Sequence, residues 1–207
     1  MKVHHLGQHR IDSHVEGIRL VQLENFQELL HRKDQLTNCY KEVFAETPYF
    51  EDYTGKEDEI FDSFARFMLD GVVVLLVNGS NAVVGFGGCE RASTSEVAEF
   101  LDENLDKLEV HSSRYIYMAE LAVQSRYRRK GFGAMMVRDR LQAIRANPDN
   151  NISHVLMRTA KDDSNSIGIY LRLGARVIDG LVQVKTGFDT KSTERVFLSA
   201  PLVSLNL

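Results

Sequence analysis

Residues 120–137 read ELAVQSRYRRKGFGAMMV, and the stretch changes character twice. Glu120 to Val123 close a largely apolar run that begins at Tyr115 and has the length of a buried strand. A basic segment holding Arg126, Arg128, Arg129 and Lys130 follows, and Gly131 and Gly133 then flank Phe132. Directly behind the glycines, Met135, Met136 and Leu141 fall on one inward helical face. A helix that starts there offers unpaired N–H groups and a partial positive charge, so a phosphate docked on it gains several hydrogen bonds without a side chain. Glycine lets the backbone approach such a ligand closely and take dihedrals closed to other residues. A basic run alone is commonly a solvated face, and a glycine pair alone is commonly a turn. Their coincidence at a strand-to-helix junction points to an anion.

Working outward, residues 18–23 alternate apolar and polar as a half-buried strand does. From 26 to about 45, Phe26, Leu29, Leu30, Leu36, Tyr40, Val43 and Phe44 keep helical spacing, with a break expected near Asp34 and a stop at Pro48. Thr54 and Glu57 have the spacing of a capping box ahead of a second helix through Ile60, Phe61, Phe64, Phe67 and Met68, which Gly71 ends. Residues 72–77 and 82–89, joined by Asn78-Gly79-Ser80-Asn81, read as a hairpin. Residues 93–113 are acidic but periodic, which suggests a short amphipathic helical insertion. A strand at 115–123, a helix at 133–146, a strand at 154–159, a helix at 165–173 and strand-like runs at 175–184 and 195–198 complete the order. That order predicts an α/β fold, a mixed sheet flanked by helices. One domain is expected over residues 15–207, behind a flexible polar tail at 1–14.

The turn matches the Arg/Gln-x-x-Gly-x-Gly/Ala pyrophosphate motif of the GNAT superfamily of acyl-CoA N-acyltransferases, with Arg128 first, Gly131 fourth and Gly133 sixth. Residues 115–123, ending Leu121-Ala122-Val123, resemble the family's central strand, whose backbone pairs with the pantetheine arm. Asn165, followed by Tyr170 and Gly174, is similar to the family's Asn and Tyr-x-x-x-Gly-Phe, with Ala175 in place of the aromatic. The resemblance implies a mostly antiparallel central sheet and acetyl-CoA as co-substrate, with no metal. It implies cofactor contacts at Leu121, Ala122, Val123, Arg128, Arg129, Lys130, Gly131, Phe132, Gly133, Ala134 and Asn165. Asn165 would bond the pantetheine amides or cap its own helix, and both roles are compatible. Two rival glycine motifs fail on spacing. The third glycine of a dinucleotide fingerprint would fall on Met136, and a phosphate-loop lysine would have to follow the second glycine, whereas Lys130 precedes both.

The resemblance further implies direct transfer of acetyl from the thioester to an amine. No Cys–His or Ser–His–Asp set stands out in the sequence, which agrees with this. An amine of pKa about 10.4 must lose a proton first, at a cost of about 4 to 5 kcal/mol at pH 7. Glu120, on the central strand, is the candidate base, against the plainer reading of a charge on the strand's outer face. Tyr170 matches the family tyrosine that protonates the departing sulfur, against the plainer reading of a core tyrosine. The alternative class is a non-catalytic acyl-CoA-binding module, and the presence of both residues favours the enzyme.

Hydrophobic residues at 43%, charged residues at 26% and a net charge of −4 describe an ordinary globular chain. That balance gives no reason to expect nucleic acid or an anionic membrane as partner. Cys39 and Cys89 lie far apart and read as buried reduced thiols, and the histidines of the polar N-terminus have no accompanying ligand pattern. The cytoplasm is the expected compartment. The acceptor is expected to meet residues 40–53 and 93–113, whose acidity favours a cationic small molecule or peptide amine. A homodimer through the C-terminal strands is compatible with the apolar runs at 181–184 and 196–198.

Overall fold

The computed structural model describes residues 17–46, 50–147, 151–161, 164–186 and 192–205. The elements run β1 (Arg19–Gln22), α1 (Phe26–His31), α2 (Lys33–Ala45), α3 (Glu57–Asp70), β2 (Val72–Val77), β3 (Val83–Arg91), α4 (Ala98–Asp102), β4 (Tyr115–Val123), α5 (Phe132–Ala146), β5 (His154–Ala160), α6 (Ser164–Arg172), β6 (Arg176–Thr186) and β7 (Ser192–Pro201). Among the described residues, seven strands form one sheet in the order β1-β2-β3-β4-β5-β7-β6. Every pairing is antiparallel except β4 with β5. No helix among the described residues is long and apolar enough to cross a membrane.

The first helix breaks at Arg32, near Asp34 as expected, and the Arg32 guanidinium reaches out to the carbonyl of Asn81 at 2.8 Å and its Oδ1 at 2.9 Å. Two local expectations change. The capping box at Thr54 does not form, because the Thr54 N–H donates to Asp52 Oδ1 at 2.9 Å and α3 starts at Glu57 behind an uncapped Lys56. The acidic stretch is shorter in helix than its periodicity suggests. Only α4 is α-helical, between 3-10 turns at Ala92–Thr94, Leu105–Lys107 and Ser112–Arg114. Closely spaced like charges disfavour a longer helix, and the Asn104 side chain donates to the carbonyl of Phe100 at 2.8 Å just past its end. The stop expected at Pro48 and the tail at 1–14 lie outside the described residues.

Helices cover both faces of the sheet. On one, Leu29, Leu36 and Phe64 of α1–α3 pack on Val73, Leu75 and Phe86, while Val97 and Leu101 around α4 pack with Tyr115, Tyr117 and Phe197. On the other, Val137 and Leu141 of α5 and Tyr170 of α6 pack on Ile116, Met118, Val155 and Met157. Phe132 and Met136 continue this face over Val74, Leu76 and Val84. Cys39 and Cys89 are both free and buried.

The site is prepared where the parallel pair ends. β4 and β5 register from Tyr115 opposite His154 to Met118 opposite Met157, and β4 then runs on to Val123 with β3 as its ladder partner. The β3–β4 register shifts at the same level, between Gly88 and Glu90. Cys89 alone on β3 faces two residues of β4 there, the pattern of a bulge, which bends a strand and leaves ladder groups free.

Candidate active site

The backbone of β4 decides what the gap beyond Met118 can bind. Gln124 N–H donates to Val84 O at 3.0 Å, so Gln124 turns its main chain toward β3. Main-chain groups alternate sides along an antiparallel strand, so Ala122 and Glu120 also face β3, while Leu121 and Val123 turn theirs into the gap. A side-chain bond agrees with this alternation: Val123 O accepts from Arg128 Nε at 2.7 Å. The bulge puts Ala119 and Glu120 on the same side of the sheet, where Ala119 joins the α3-facing cluster and Glu120 accepts from Tyr40 Oη of α2 at 3.4 Å.

β4 hands over to α5 through a 3-10 turn at Ser125–Tyr127 and two left-handed residues, Arg129 at φ 59° and Gly131 at φ 84°. Met135 N–H closes the first helical bond, to Gly131 O at 3.1 Å. The amides ahead of it head the helix without intrahelical acceptors. A Cβ on Gly131 would meet nothing within 4 Å, and one on Gly133 would make only an ordinary contact, 3.5 Å from Ile169. The protein therefore leaves open space at Gly131 and room for the backbone to be approached beside Gly133, and this cradle of amides fits a pyrophosphate.

The predicted cofactor residues divide into groups. Arg129, Lys130 and Gly131 are exposed at the turn, with Gly133 and Ala134 half-buried beside it. Phe132 is buried in the core, so only its main chain can serve a ligand. Arg128 points inward: besides its bond to Val123 O, its Nη2 lies 3.2 Å from Glu46 Oε2, and Ser125 Oγ donates to Glu46 Oε1 at 3.0 Å. Arg128 thus staples the turn to the strand end and to the foot of α2. Asn165 lies in the first turn of α6, and its side chain falls outside the described residues.

Glu120 and Tyr170, far apart in sequence, line one cavity of about 320 Å³. Its α2 side is aromatic and acidic. Tyr40, Phe44 and Tyr53 pack together with centroid distances of 4.4 to 5.8 Å, beside Glu51 and Glu120. Of the acidic residues in the 93–113 stretch, only Glu96 lines the cavity, and it is ion-paired with Arg158. Arg66 and Arg195 line it as well. The negative field expected from the whole stretch therefore narrows, at the cavity, to Glu51 and Glu120, since Glu90 lies beside Arg66.

Glu90 was not singled out by the sequence. It is 2% exposed, its Oε2 lies 3.8 Å from Arg66 Nε, and its Oε1 has no hydrogen-bond partner among the described residues. Burial pushes its carboxyl up to about 7, with Arg66 opposing and Glu96 and Asp70 adding to the rise. The available signal was a lone acid closing the apolar strand VVGFGGCE. Arg140 of α5 was also missed, because its helical neighbours give no hint of a buried charge. Neither thiol is a candidate nucleophile, since burial raises Cys39 to about 12 and Cys89 to about 11.

With this geometry in hand, comparisons with known proteins are consistent. A sequence model described as "Acetyltransferase (GNAT) family" matches residues 34–175. No curated protein matches the chain by sequence. Among solved structures, yncA of Salmonella typhimurium with its cofactor acetyl-CoA superposes with a TM-score of 0.65 at 14% identity, covering 89% of this chain and 94% of its own. An N-acetyltransferase from Staphylococcus aureus gives 0.63 at 12% identity, covering 89% and 99%. NAA60 of Arabidopsis thaliana in complex with acetyl-CoA gives 0.55 at 15% identity, covering 89% and 98%.

Proposed function

The chain belongs to the acetyltransferase (GNAT) family, and from that premise we propose that it transfers acetyl from acetyl-CoA directly to a primary amine of a cationic small molecule or peptide. One observation carries the reading. The cavity that holds Glu120 and Tyr170 takes in Leu121, on the part of β4 that runs beyond its ladder with β5, and the same strand leads into the turn where Gly131 is open.

Acetyl-CoA bound there supplies an activated acyl group as its thioester. The amides at the head of α5 hold the pyrophosphate, with Arg129 and Lys130 adding charge. Leu121 and Val123 present their main chains along the gap to the pantetheine arm. The Leu121 N–H stabilises the charge that develops on the reacting carbonyl oxygen. Glu51 and Glu120 draw the ammonium into the aromatic corner of Tyr40, Phe44 and Tyr53, where ring faces favour a cation. Glu120 accepts the ammonium proton at a carboxylate oxygen, directly or through a water, and Tyr170 Oη donates to the departing sulfur. Glu90 is a second candidate base, favoured by its raised pKa near 7, which suits a proton acceptor at neutral pH.

A thiol-release screen tests the reading, with acetyl-CoA set against a panel of amines and longer-chain and acidic acyl-CoA donors run beside it. Amine-dependent CoA release, fastest with acetyl-CoA and cationic amines, is expected. Tight CoA binding with no release for any amine favours the binding-module alternative.

A further inference from the structure

Arg140 is fully buried in the middle of α5, yet none of its hydrogen-bond partners is a carboxylate. Its Nε donates to Met136 O at 3.3 Å, and its Nη1 donates to both Gly88 O at 2.6 Å and Glu120 O at 2.9 Å. Its Nη2 has no hydrogen-bond partner among the described residues. Gly88 and Glu120 are opposite each other on β3 and β4, at the edge of the register shift. Room for the guanidinium exists because residue 87 is glycine: a Cβ there would stand 3.0 Å from Arg140 Cζ. A buried charge without a counter-charge is an expensive way to fill a core, and an apolar side chain of similar volume serves stability at least as well.

The peptide unit that Arg140 holds suggests why the charge is there. A trans peptide points its C=O and N–H in opposite directions. With Glu120 O turned toward β3 and bonded to Arg140, the N–H of the same unit, that of Leu121, faces the gap. A hydrogen bond from a cation to an amide oxygen strengthens the donor at the other end of that amide. We propose that Arg140 is a positioning residue for acyl transfer, fixing and polarising the Glu120–Leu121 peptide so that Leu121 N–H meets the thioester carbonyl oxygen. The proposal rests on the acetyltransferase reading above. It adds a residue that touches neither substrate and acts from the opposite face of the sheet through one peptide group.

The test is an infrared difference spectrum of [1-13C]acetyl-CoA bound to wild type, Arg140→Gln and Arg140→Lys, alongside acetyl-CoA affinity, melting temperature and turnover. In wild type the carbonyl band should lie below that of free acetyl-CoA. In Arg140→Gln it should return toward the free position while kcat falls about 10-fold or more, a fraction of what a whole lost oxyanion donor costs. Arg140→Lys, which keeps the charge, should stay near wild type in both, and acetyl-CoA affinity should hold in both variants. An unmoved band and unchanged kcat in folded Arg140→Gln would make Arg140 a packing residue and overturn the proposal. If Arg140→Gln fails to fold, Gly87→Ala, whose Cβ displaces the guanidinium, is read by the same criteria. Wild-type protein that does not bind acetyl-CoA would overturn the reading of the site itself, a result distinct from a bound but unshifted carbonyl.

Discussion

At the scale of single residues, the proposed roles separate proton handling from binding. Tyr170→Phe keeps the ring that packs against Met118 and Val155 and removes only the hydroxyl. Folding and CoA affinity should hold while kcat falls about 100-fold. Turnover near wild type with a confirmed acceptor would make Tyr170 a packing residue. Glu120→Gln should lower kcat/KM most near neutral pH and regain part of the loss as pH approaches the amine's own pKa, where solvent has already produced the neutral amine. Equal fractional loss from low to high pH would leave Glu120 as a binding carboxylate. Glu90 allows a stability test. Its folded pKa, raised to about 7 from the ordinary 4.5, means that the native state binds its proton more tightly than the unfolded chain does. Glu90 therefore costs nothing below about pH 4.5, and its cost grows as pH rises toward 7 and is complete above it. Scanning calorimetry should find Glu90→Gln melting close to wild type at pH 4 and above it at pH 8. A variant that melts lower at pH 8 would show that the pair with Arg66 outweighs burial.

Among the elements, the strand-to-helix turn was the most legible, because its chemistry is local. Arg128, Gly131 and Gly133 are close in sequence, and the turn they form is set by dihedrals that glycine permits. Gly131→Asp should weaken CoA binding severely by placing a carboxylate in the cradle at a left-handed residue, and calorimetry checks this against a folded variant. Arg128→Ala should weaken it less, since the amides remain and only the staple to Val123 O and Glu46 is lost. Strand β4 was readable to its end residues for the same reason, as an apolar run bounded by turns. Its bulge was not, because that depends on how β3 registers against it. The break in the first helix was legible to within two residues, but the tie of Arg32 to Asn81, in a hairpin turn much later in the chain, was not. Thr54 kept the capping spacing but lost its N–H to Asp52, a competition that the spacing alone does not decide.

Across the whole molecule, the sides proposed for cofactor and acceptor draw on different amounts of chain. The cavity proposed for the acceptor is lined from α2 through β7, by residues as distant as Tyr40 and Arg195. Its balance of charge depended on which acids the fold turns inward, and that is why the sequence overstated the 93–113 stretch and passed over Glu90. Acetyl-CoA is proposed to lie in the β4–β5 gap with its phosphates at the head of α5. Amide hydrogen exchange with and without CoA reads this most directly, because docked N–H groups become protected and distant ones do not. Added protection is expected in two separate segments, around 121–123 on β4 and 129–135 at the start of α5, with β1 unchanged. Saturating CoA that leaves both segments unprotected, or protects a different part of the sheet, would contradict it.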